Sequence, residues 1–115
     1  MERLRQRADF LAAATGVKVH VTGFVLQMRE RNDRRPPRVG FTVSKKVGNA
    51  VERNRVRRRL REVVRRSSPW NRLKTGCDYV LIGRRAAIAL PFERLAEDFK
   101  GALGRVGNKK AQPSR

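Results

Sequence analysis

The densest set of functional groups in this sequence is the segment AVERNRVRRRLREVVRR, residues 50–66, in which eight of seventeen positions are arginine. Arginines this close repel one another, and the like-charged pairs four residues apart on a helix cost roughly 1–2 kcal/mol in total. Planar guanidinium groups bind phosphate through paired hydrogen bonds. The segment therefore indicates phosphate binding on a nucleic acid, and the alternative is a helical face that is only solvated.

No set of residues has the composition of a catalytic or metal site. The chain has one histidine, His20, within a strand pattern, and one cysteine, Cys77, so a thiolate metal site and an intrachain disulfide are both excluded. The acids Glu93, Glu97 and Asp98 fall on the outer face of a predicted helix, where they are expected to be solvated. We therefore expect no catalytic residue, no metal ligand and no cofactor bound by the protein alone.

The charge balance of the chain calls for a polyanionic partner. Lys and Arg number 29 against 10 acids, which gives a net charge of +19 over 115 residues. Nucleic acid, an anionic membrane surface or an acidic protein would each suit this charge, and the excess of Arg over Lys favours nucleic acid. No apolar stretch reaches the roughly 18 residues of a membrane span, and the N-terminus has no signal-peptide core. We expect a soluble, cytoplasmic protein without membrane contact.

The elements of the first half follow from the spacing of apolar residues. The predicted elements are a helix at 7–16, a long strand at 17–28, a polar hairpin loop at 29–37 and a strand at 38–43. Asp9 is the predicted cap of the helix. Within the strand, apolar residues lie at odd positions before Gly23 and at even positions after it, and this change of parity predicts a bulge or bend within one strand. Gly40 leaves one face of its strand bare, which suits either a ligand or a tightly packed neighbouring strand.

The predicted elements of the second half of the chain place the arginines on a helix. Asn49 and Glu52 have capping-box spacing, so the arginine-rich helix is expected to begin at about Asn49 and to end at Ser67–Pro69. A nearly all-apolar strand is predicted at 77–83, and an amphipathic helix opens at Pro91. Phe41, Phe92 and Phe99 are predicted core residues, and Trp70 is left open between packing and binding.

These elements predict an α+β fold in which helices pack on a small mixed β-sheet as a two-layer sandwich. Residues 1–106 are expected to form a single RNA-binding domain, and residues 107–115 a flexible basic tail. If the strands on either side of the arginine-rich helix are parallel neighbours, a right-handed crossover is the default expectation.

The segment RVGFTVSKKVGNAVERNRVRRRLRE, residues 38–62, closely resembles the signature region of the bacterial ribonuclease P protein family, in which SKK, NAV and RNR form a specific pattern. The similarity extends to RLRQRADF, GFVLQM and DYVLIGRR, and it covers roughly residues 3–105. The resemblance implies the small subunit of a ribonucleoprotein endonuclease. In that enzyme the RNA subunit is the Mg²⁺-dependent catalyst that removes the 5′ leader from precursor tRNA. It also implies a ribosomal protein S5 domain 2-like fold with a left-handed βαβ crossover, against the default expectation.

The resemblance also assigns functional residues. The positions that match the family's RNA-contacting loop and helix are Lys45, Lys46, Arg53, Asn54, Arg55, Arg57, Arg58, Arg61 and Arg65. The positions that it implies for a cleft holding the single-stranded leader are Phe10, Phe24, Arg38 and Gly40. Two positions depart from the family's aromatic pattern, because this chain has Ala14 and Gln27 where aromatic residues are common. The implied partners are ribonuclease P RNA and precursor tRNA, with no obligate protein partner.

Two other functions compete with this one. A ribosomal protein or general RNA chaperone could use the same arginine-rich helix, but such proteins do not usually carry the SKK, NAV and RNR pattern. A protein-only nuclease would need clustered acids or histidines for metal, and ten scattered acids with one histidine argue against it.

Overall fold

The computed structural model describes residues 2–67 and 73–111, so the predicted loop residue Trp70 lies outside the described residues. The elements are β1 (Glu2–Arg3), α1 (Arg7–Ala13), β2 (Val17–His20), β3 (Phe24–Glu30), β4 (Arg38–Val43), α2 (Ala50–Arg66), β5 (Cys77–Gly83) and α3 (Phe92–Ala111). Short 3₁₀ turns at Lys45–Val47 and Arg85–Ile88 precede α2 and α3. The element order agrees with the α+β prediction.

The described strands form one mixed sheet in the order β1-β4-β5-β3-β2. Strand β5 lies at its centre, parallel to β4 and antiparallel to β3, and this position explains its nearly continuous apolar sequence. Helix α2 connects the parallel neighbours β4 and β5, so the arginine-rich helix is the crossover of a βαβ unit. The left hand of that crossover stays a prediction.

The two faces of the sheet are covered unequally. Helices α2 and α3 pack on one face and form the main core, in which Leu60, Leu81 and Leu95 are fully buried. The short helix α1 packs on the opposite face, where Leu4, Ala13 and Val80 form a separate small cluster. The sheet with α2 and α3 is the predicted sandwich, and α1 leaves part of the second face open.

The prediction of one long strand over residues 17–28 is wrong, because β2 and β3 form an antiparallel hairpin. The backbone N–H of Val21 donates to the carbonyl of Phe24 at 3.0 Å and closes a tight turn. The register pairs Val17 with Met28 and Val19 with Leu26, so apolar residues at odd positions of β2 share a face with those at even positions of β3. The change of parity at Gly23 therefore marks a chain reversal.

The prediction of a hairpin loop at residues 29–37 is also wrong. Strand β5 lies between β3 and β4, so this segment crosses over the end of a third strand. Arg31 fixes the crossing, because its guanidinium donates to the carbonyls of Cys77 and Pro36, each at 2.9 Å. Local sequence predicts a loop here but contains no information about which strand will insert beside it.

The helix boundaries are mostly as predicted, with three differences. Helix α1 ends at Ala13, three residues before the predicted end at 16. Helix α1 begins at Arg7 with Gln6 in the N-cap position, so Asp9 is not the cap and lies in the first turn. The capping box at the start of α2 is confirmed, with Asn49 and Glu52 exchanging two hydrogen bonds of 2.9 Å. Helix α3 continues to Ala111, past the predicted domain boundary at 106, and residues 112–115 lie outside the described residues.

Candidate nucleic-acid interface

Helix α2 presents its arginines because a narrow apolar stripe fixes its other side. Val56, Leu60, Val63 and Val64 are buried against the sheet and α3. Residues three and four apart share one helical face, so this stripe leaves the remaining circumference of α2 to the charged residues. The capping box and the stripe together hold the helix without help from its exposed arginines.

The predicted RNA-binding residues lie together on this surface. Exposed members are Lys45, Lys46, Asn54, Arg55, Arg58, Arg61 and Arg65, and half-buried members are Arg53 and Arg57. The two lysines lie in the 3₁₀ turn that leads into α2, so the basic surface is continuous from that turn along the helix.

The arginines of α2 differ in how much of their charge is balanced. Arg65 and Arg66 both pair with Glu62, and these hydrogen bonds lower the pKa of Glu62 to about 2. Within the described residues, no carboxylate lies within ion-pair distance of Arg55, Arg58 or Arg61. The middle of the helix therefore carries exposed positive charge that this part of the chain leaves uncompensated.

Arg59 is an arginine of α2 with a structural role. Its guanidinium donates to the carbonyls of Ala87, Ile88 and Leu90 at 2.8, 2.9 and 2.6 Å. These bonds tie α2 to the turn that precedes α3. Burial and the neighbouring charge of Arg55 lower the pKa of Arg59, which still carries its charge at neutral pH.

A second candidate surface is a cleft of about 450 Å³ between α1 and the open face of the sheet. Phe10 and Ala14 line it from the helix, Gln27 and Val80 line its floor, and Arg5 lies at its rim. The cleft combines a half-buried aromatic ring with nearby positive charge, which suits a single-stranded nucleic acid. Both departures from the family's aromatic pattern, Ala14 and Gln27, line this cleft.

The structure places the four predicted cleft residues differently. Phe10 lines the cleft as predicted, and its ring lies over Gly40, where an added Cβ would be 2.6 Å from the nearest ring carbon. The bare face of Gly40 is thus filled by the chain's own Phe10, so Gly40 does not contact a ligand directly. The assignment of Phe24 is wrong, because Phe24 is fully buried on the opposite face with its ring centroid 6.4 Å from that of Phe99.

Arg38 is engaged by the protein itself. Its guanidinium makes two hydrogen bonds of 2.8 Å to the carboxylate of Asp78 and also reaches Asp9 at 3.3 Å. The hydrogen bonds to Asp78 raise the pKa of Arg38. Arg38 therefore connects α1 to the centre of the sheet, and its assignment to the leader cleft stays a prediction.

Asp78 is the important residue that sequence reasoning missed. It is fully buried, and its carboxylate pairs with Arg38 and with Arg31. Burial alone would raise the pKa of Asp78, but the hydrogen bonds from Arg38 and Arg31 outweigh it and lower the pKa. A lone acid inside the apolar strand CDYVLIG was the available signal, because a buried carboxylate requires a cationic partner.

No group of three or more histidine, cysteine or acidic residues that could hold a metal ion occurs among residues 2–67 and 73–111. In the same part of the chain, no helix is both long and apolar enough to cross a bilayer. His20 is exposed on β2, and Cys77 is buried at the start of β5.

Comparison with known proteins connects these surfaces to a family. The Ribonuclease P family profile matches residues 1–107. The ribonuclease P protein component of Gluconacetobacter diazotrophicus is 49% identical over 114 residues, covering 96% of this chain and 95% of that protein. The corresponding protein of Paramagnetospirillum magneticum is 46% identical, covering 93% of this chain and 84% of that protein.

A solved structure agrees with the sequence relatives. The RNase P protein from Thermotoga maritima is 31% identical and superposes with a TM-score of 0.75, covering 91% of this chain and 97% of that one. The mixed sheet, the crossover position of α2 and the α+β class are thereby shared with a known fold. On the evidence of its sequence and its fold, this chain belongs to the ribonuclease P protein family.

Proposed function

We propose that this chain is the protein subunit of a ribonuclease P ribonucleoprotein, binding the catalytic RNA through α2 and the 5′ leader of precursor tRNA in the cleft under α1. Membership of the family makes the chain a subunit of an endoribonuclease, with ribonuclease P RNA as its partner. Cleavage is assigned to the RNA and its Mg²⁺ ions. The protein assists endonucleolytic removal of the leader in the cytoplasm, and its part is to bind and position RNA.

The observation that carries the proposal is the row of uncompensated arginines on a helix that is anchored without them. Arg55, Arg58 and Arg61 are exposed and have no carboxylate partner within the described residues, while the capping box and the apolar stripe hold α2 in place. Phosphates would remove the repulsion between these charges, and each contact would release a condensed counterion.

The cleft supports the second half of the proposal. It lies on the face of the sheet opposite to α2, so one RNA can cover the helix while a separate strand enters the cleft. Phe10 offers an apolar face to a base or sugar, and Arg5 and Arg7 at the rim offer charge to the backbone. This division assigns binding of the two RNAs to opposite faces of one small domain.

The experiment that tests the proposal is reconstitution at low Mg²⁺, where few free cations are present to screen the phosphates. Purified protein is mixed with a bacterial ribonuclease P RNA and a precursor tRNA with a 5′ leader, and cleavage at the mature 5′ end is scored beside RNA alone and protein alone. We expect only the mixture to cleave. Cleavage by the protein alone would contradict the assignment of catalysis to the RNA. An inert mixture, with equal binding to unrelated RNAs, would instead favour a general RNA-binding protein.

A further inference from the structure

A third concave surface lies where α2 meets the edge of the sheet. It is a groove of about 280 Å³ whose floor is formed by Val39, Phe41 and Val64 and whose rim carries Arg3, Arg61 and Arg65. Phe41 packs against the core as expected, but it is only half-buried and also lines this groove. The groove and the cleft under α1 lie on opposite faces of the sheet and share only Phe41, whereas Arg3, Arg61 and Val64 line the groove and not the cleft.

The charges around this groove are poorly balanced. The guanidinium carbon of Arg61 lies 6.0 Å from the ring centroid of Phe41. Burial lowers the pKa of Arg61, and the charges of Arg3 and Arg57 lower it further, so the cations repel one another. Glu2 also lines the rim, but among the described residues no carboxylate lies within ion-pair distance of Arg3 or Arg61.

In a second arginine–phenylalanine pair on α2, the arginine also has a carboxylate partner. The guanidinium of Arg66 lies 4.9 Å from the ring centroid of Phe92 on the other flank of α2. Arg66 also pairs at 2.7 Å with Glu62, which it shares with Arg65, so it has a carboxylate partner within the protein. Arg61 contacts the ring of Phe41 but has no carboxylate partner among the described residues, and Arg3 lines the same groove.

We propose that this groove binds one unpaired nucleotide of RNA, with its base against Phe41 and Arg61 and its phosphate near Arg3. An unstacked base offers a flat π face to an aromatic ring and to a guanidinium plane, and the adjoining phosphate offers the missing negative charge. Bases within a duplex are stacked and cannot enter such a groove. The inference rests on the proposed function, since it places the nucleotide in an unpaired segment of the catalytic RNA held by α2.

The test compares the same substitution at the two phenylalanines. Phe41→Leu keeps an apolar side chain of similar volume and removes the π face, and Phe92→Leu is the matched control outside the groove. Affinity for ribonuclease P RNA is measured by filter binding over a series of salt concentrations, with thermal unfolding of each free variant alongside. We expect Phe41→Leu to weaken binding about fivefold or more, as loss of a base–aromatic stack does. We expect Phe92→Leu to change it by less than about twofold.

Arg61→Lys supplies a second variant, because Arg61 is exposed and its replacement leaves the core intact. Lysine keeps the charge and loses the planar group, so we expect a loss of about threefold or more with little change in the salt dependence. Equal affinities for the wild type and Arg61→Lys, or equal effects of Phe41→Leu and Phe92→Leu, would overturn the inference. If Phe41→Leu also lowers the unfolding temperature, the affinity of Arg61→Lys for ribonuclease P RNA decides whether the inference stands.

A five-nucleotide single-stranded RNA separates failure of this inference from failure of the proposed function. A wild-type protein that neither binds nor activates ribonuclease P RNA contradicts the proposed function. The oligonucleotide still tests the groove in that case, because it needs no catalytic RNA. Because Phe41 also lines the cleft under α1 and Arg61 does not, weaker oligonucleotide binding in both Phe41→Leu and Arg61→Lys, but not in Phe92→Leu, supports the groove. Unchanged binding in Arg61→Lys overturns it.

Discussion

The neighbouring residues Arg58 and Arg59 of α2 have different roles, RNA binding and stabilisation of the fold, and single substitutions should distinguish these roles. Arg59 donates to three carbonyls of the turn before α3, whereas Arg58 is exposed and has no acid partner among the described residues. We expect Arg59→Ala to lower the free energy of unfolding by about 1–3 kcal/mol, because the three carbonyls lose a charged donor. Arg58→Ala is expected to change it by less than about 0.5 kcal/mol and to weaken binding to ribonuclease P RNA.

Urea unfolding and filter binding on the same two variants check this division. The salt dependence of binding should decrease for Arg58→Ala by about one phosphate contact. Equal stability losses in both variants would contradict the structural role of Arg59, and unchanged affinity in Arg58→Ala would remove Arg58 from the RNA-binding surface.

Gly40 is required by the ring above it. An added Cβ would lie 2.6 and 2.7 Å from two ring carbons of Phe10 and 3.0 Å from the Cβ of Leu4. We expect Gly40→Ala to displace α1 and to destabilise the protein by about 1–3 kcal/mol. Gly101→Ala is the control, because that helical glycine has nothing within 4 Å of an added Cβ, and alanine there should stabilise α3 by about 0.5–1 kcal/mol. Urea unfolding of both variants measures the contrast, and equal stability in wild type and Gly40→Ala would contradict this packing.

The limits of sequence reasoning are visible at individual residues. The basic surface of α2 was predictable because helix periodicity and capping act within a few residues. The positions of Phe24, Arg38 and Asp78 were not, because each depends on which strands become neighbours. Phe24 faces α3 once β2 and β3 form a hairpin, and Arg38 meets Asp78 only because β4 pairs with β5.

At the scale of elements, the arginine–aspartate contacts around Asp78 join three parts of the fold. Asp78 belongs to the central strand, Arg38 to the neighbouring strand β4, and Arg31 to the segment that crosses the end of β5. Through Asp9, Arg38 also reaches α1, which forms one wall of the cleft. Helix α1 has only seven residues, so we expect this connection to help fix the cleft.

Asp78→Asn tests this connection. We expect a loss of about 3 kcal/mol at neutral pH, because the buried carboxylate that pairs with Arg31 and Arg38, and more distantly with Arg29, loses its charge. The folded pKa of Asp78 is lowered, so its contribution is complete above the unfolded value of 3.8 and is lost as the pH falls below it. The difference between wild type and variant should therefore narrow below about pH 4.

Unfolding by urea at several pH values measures that difference, with Asp98→Asn as the control. Asp98 pairs only with Arg94 along one face of α3 in the described structure, and its loss should cost less than about 1 kcal/mol. A difference for Asp78→Asn that stays constant from pH 7 to pH 3 would show that the carboxylate charge is not what stabilises the fold.

At the scale of the whole molecule, the net charge of +19 predicts that added salt stabilises the free protein and weakens its binding to RNA. The basic surface that attracts RNA also repels itself when the protein is alone, and such self-repulsion destabilises a compact state. The described ion pairs include well-buried ones at Asp78, which salt screens weakly, and exposed ones such as Arg94–Asp98, which contribute little. Screening of the repulsion should therefore prevail.

We expect the unfolding temperature of the free protein to rise between about 20 mM and 500 mM sodium chloride, because the Debye length falls to a few ångströms over that range. Over the same range the affinity for ribonuclease P RNA should fall, by about 0.9 logarithmic units per phosphate contact for each tenfold rise in salt. Thermal unfolding and filter binding at matched salt concentrations measure the two trends. If the free protein lost stability as salt was added, exposed ion pairs would outweigh the repulsion, and the arginines of α2 would be compensated within the fold rather than by RNA.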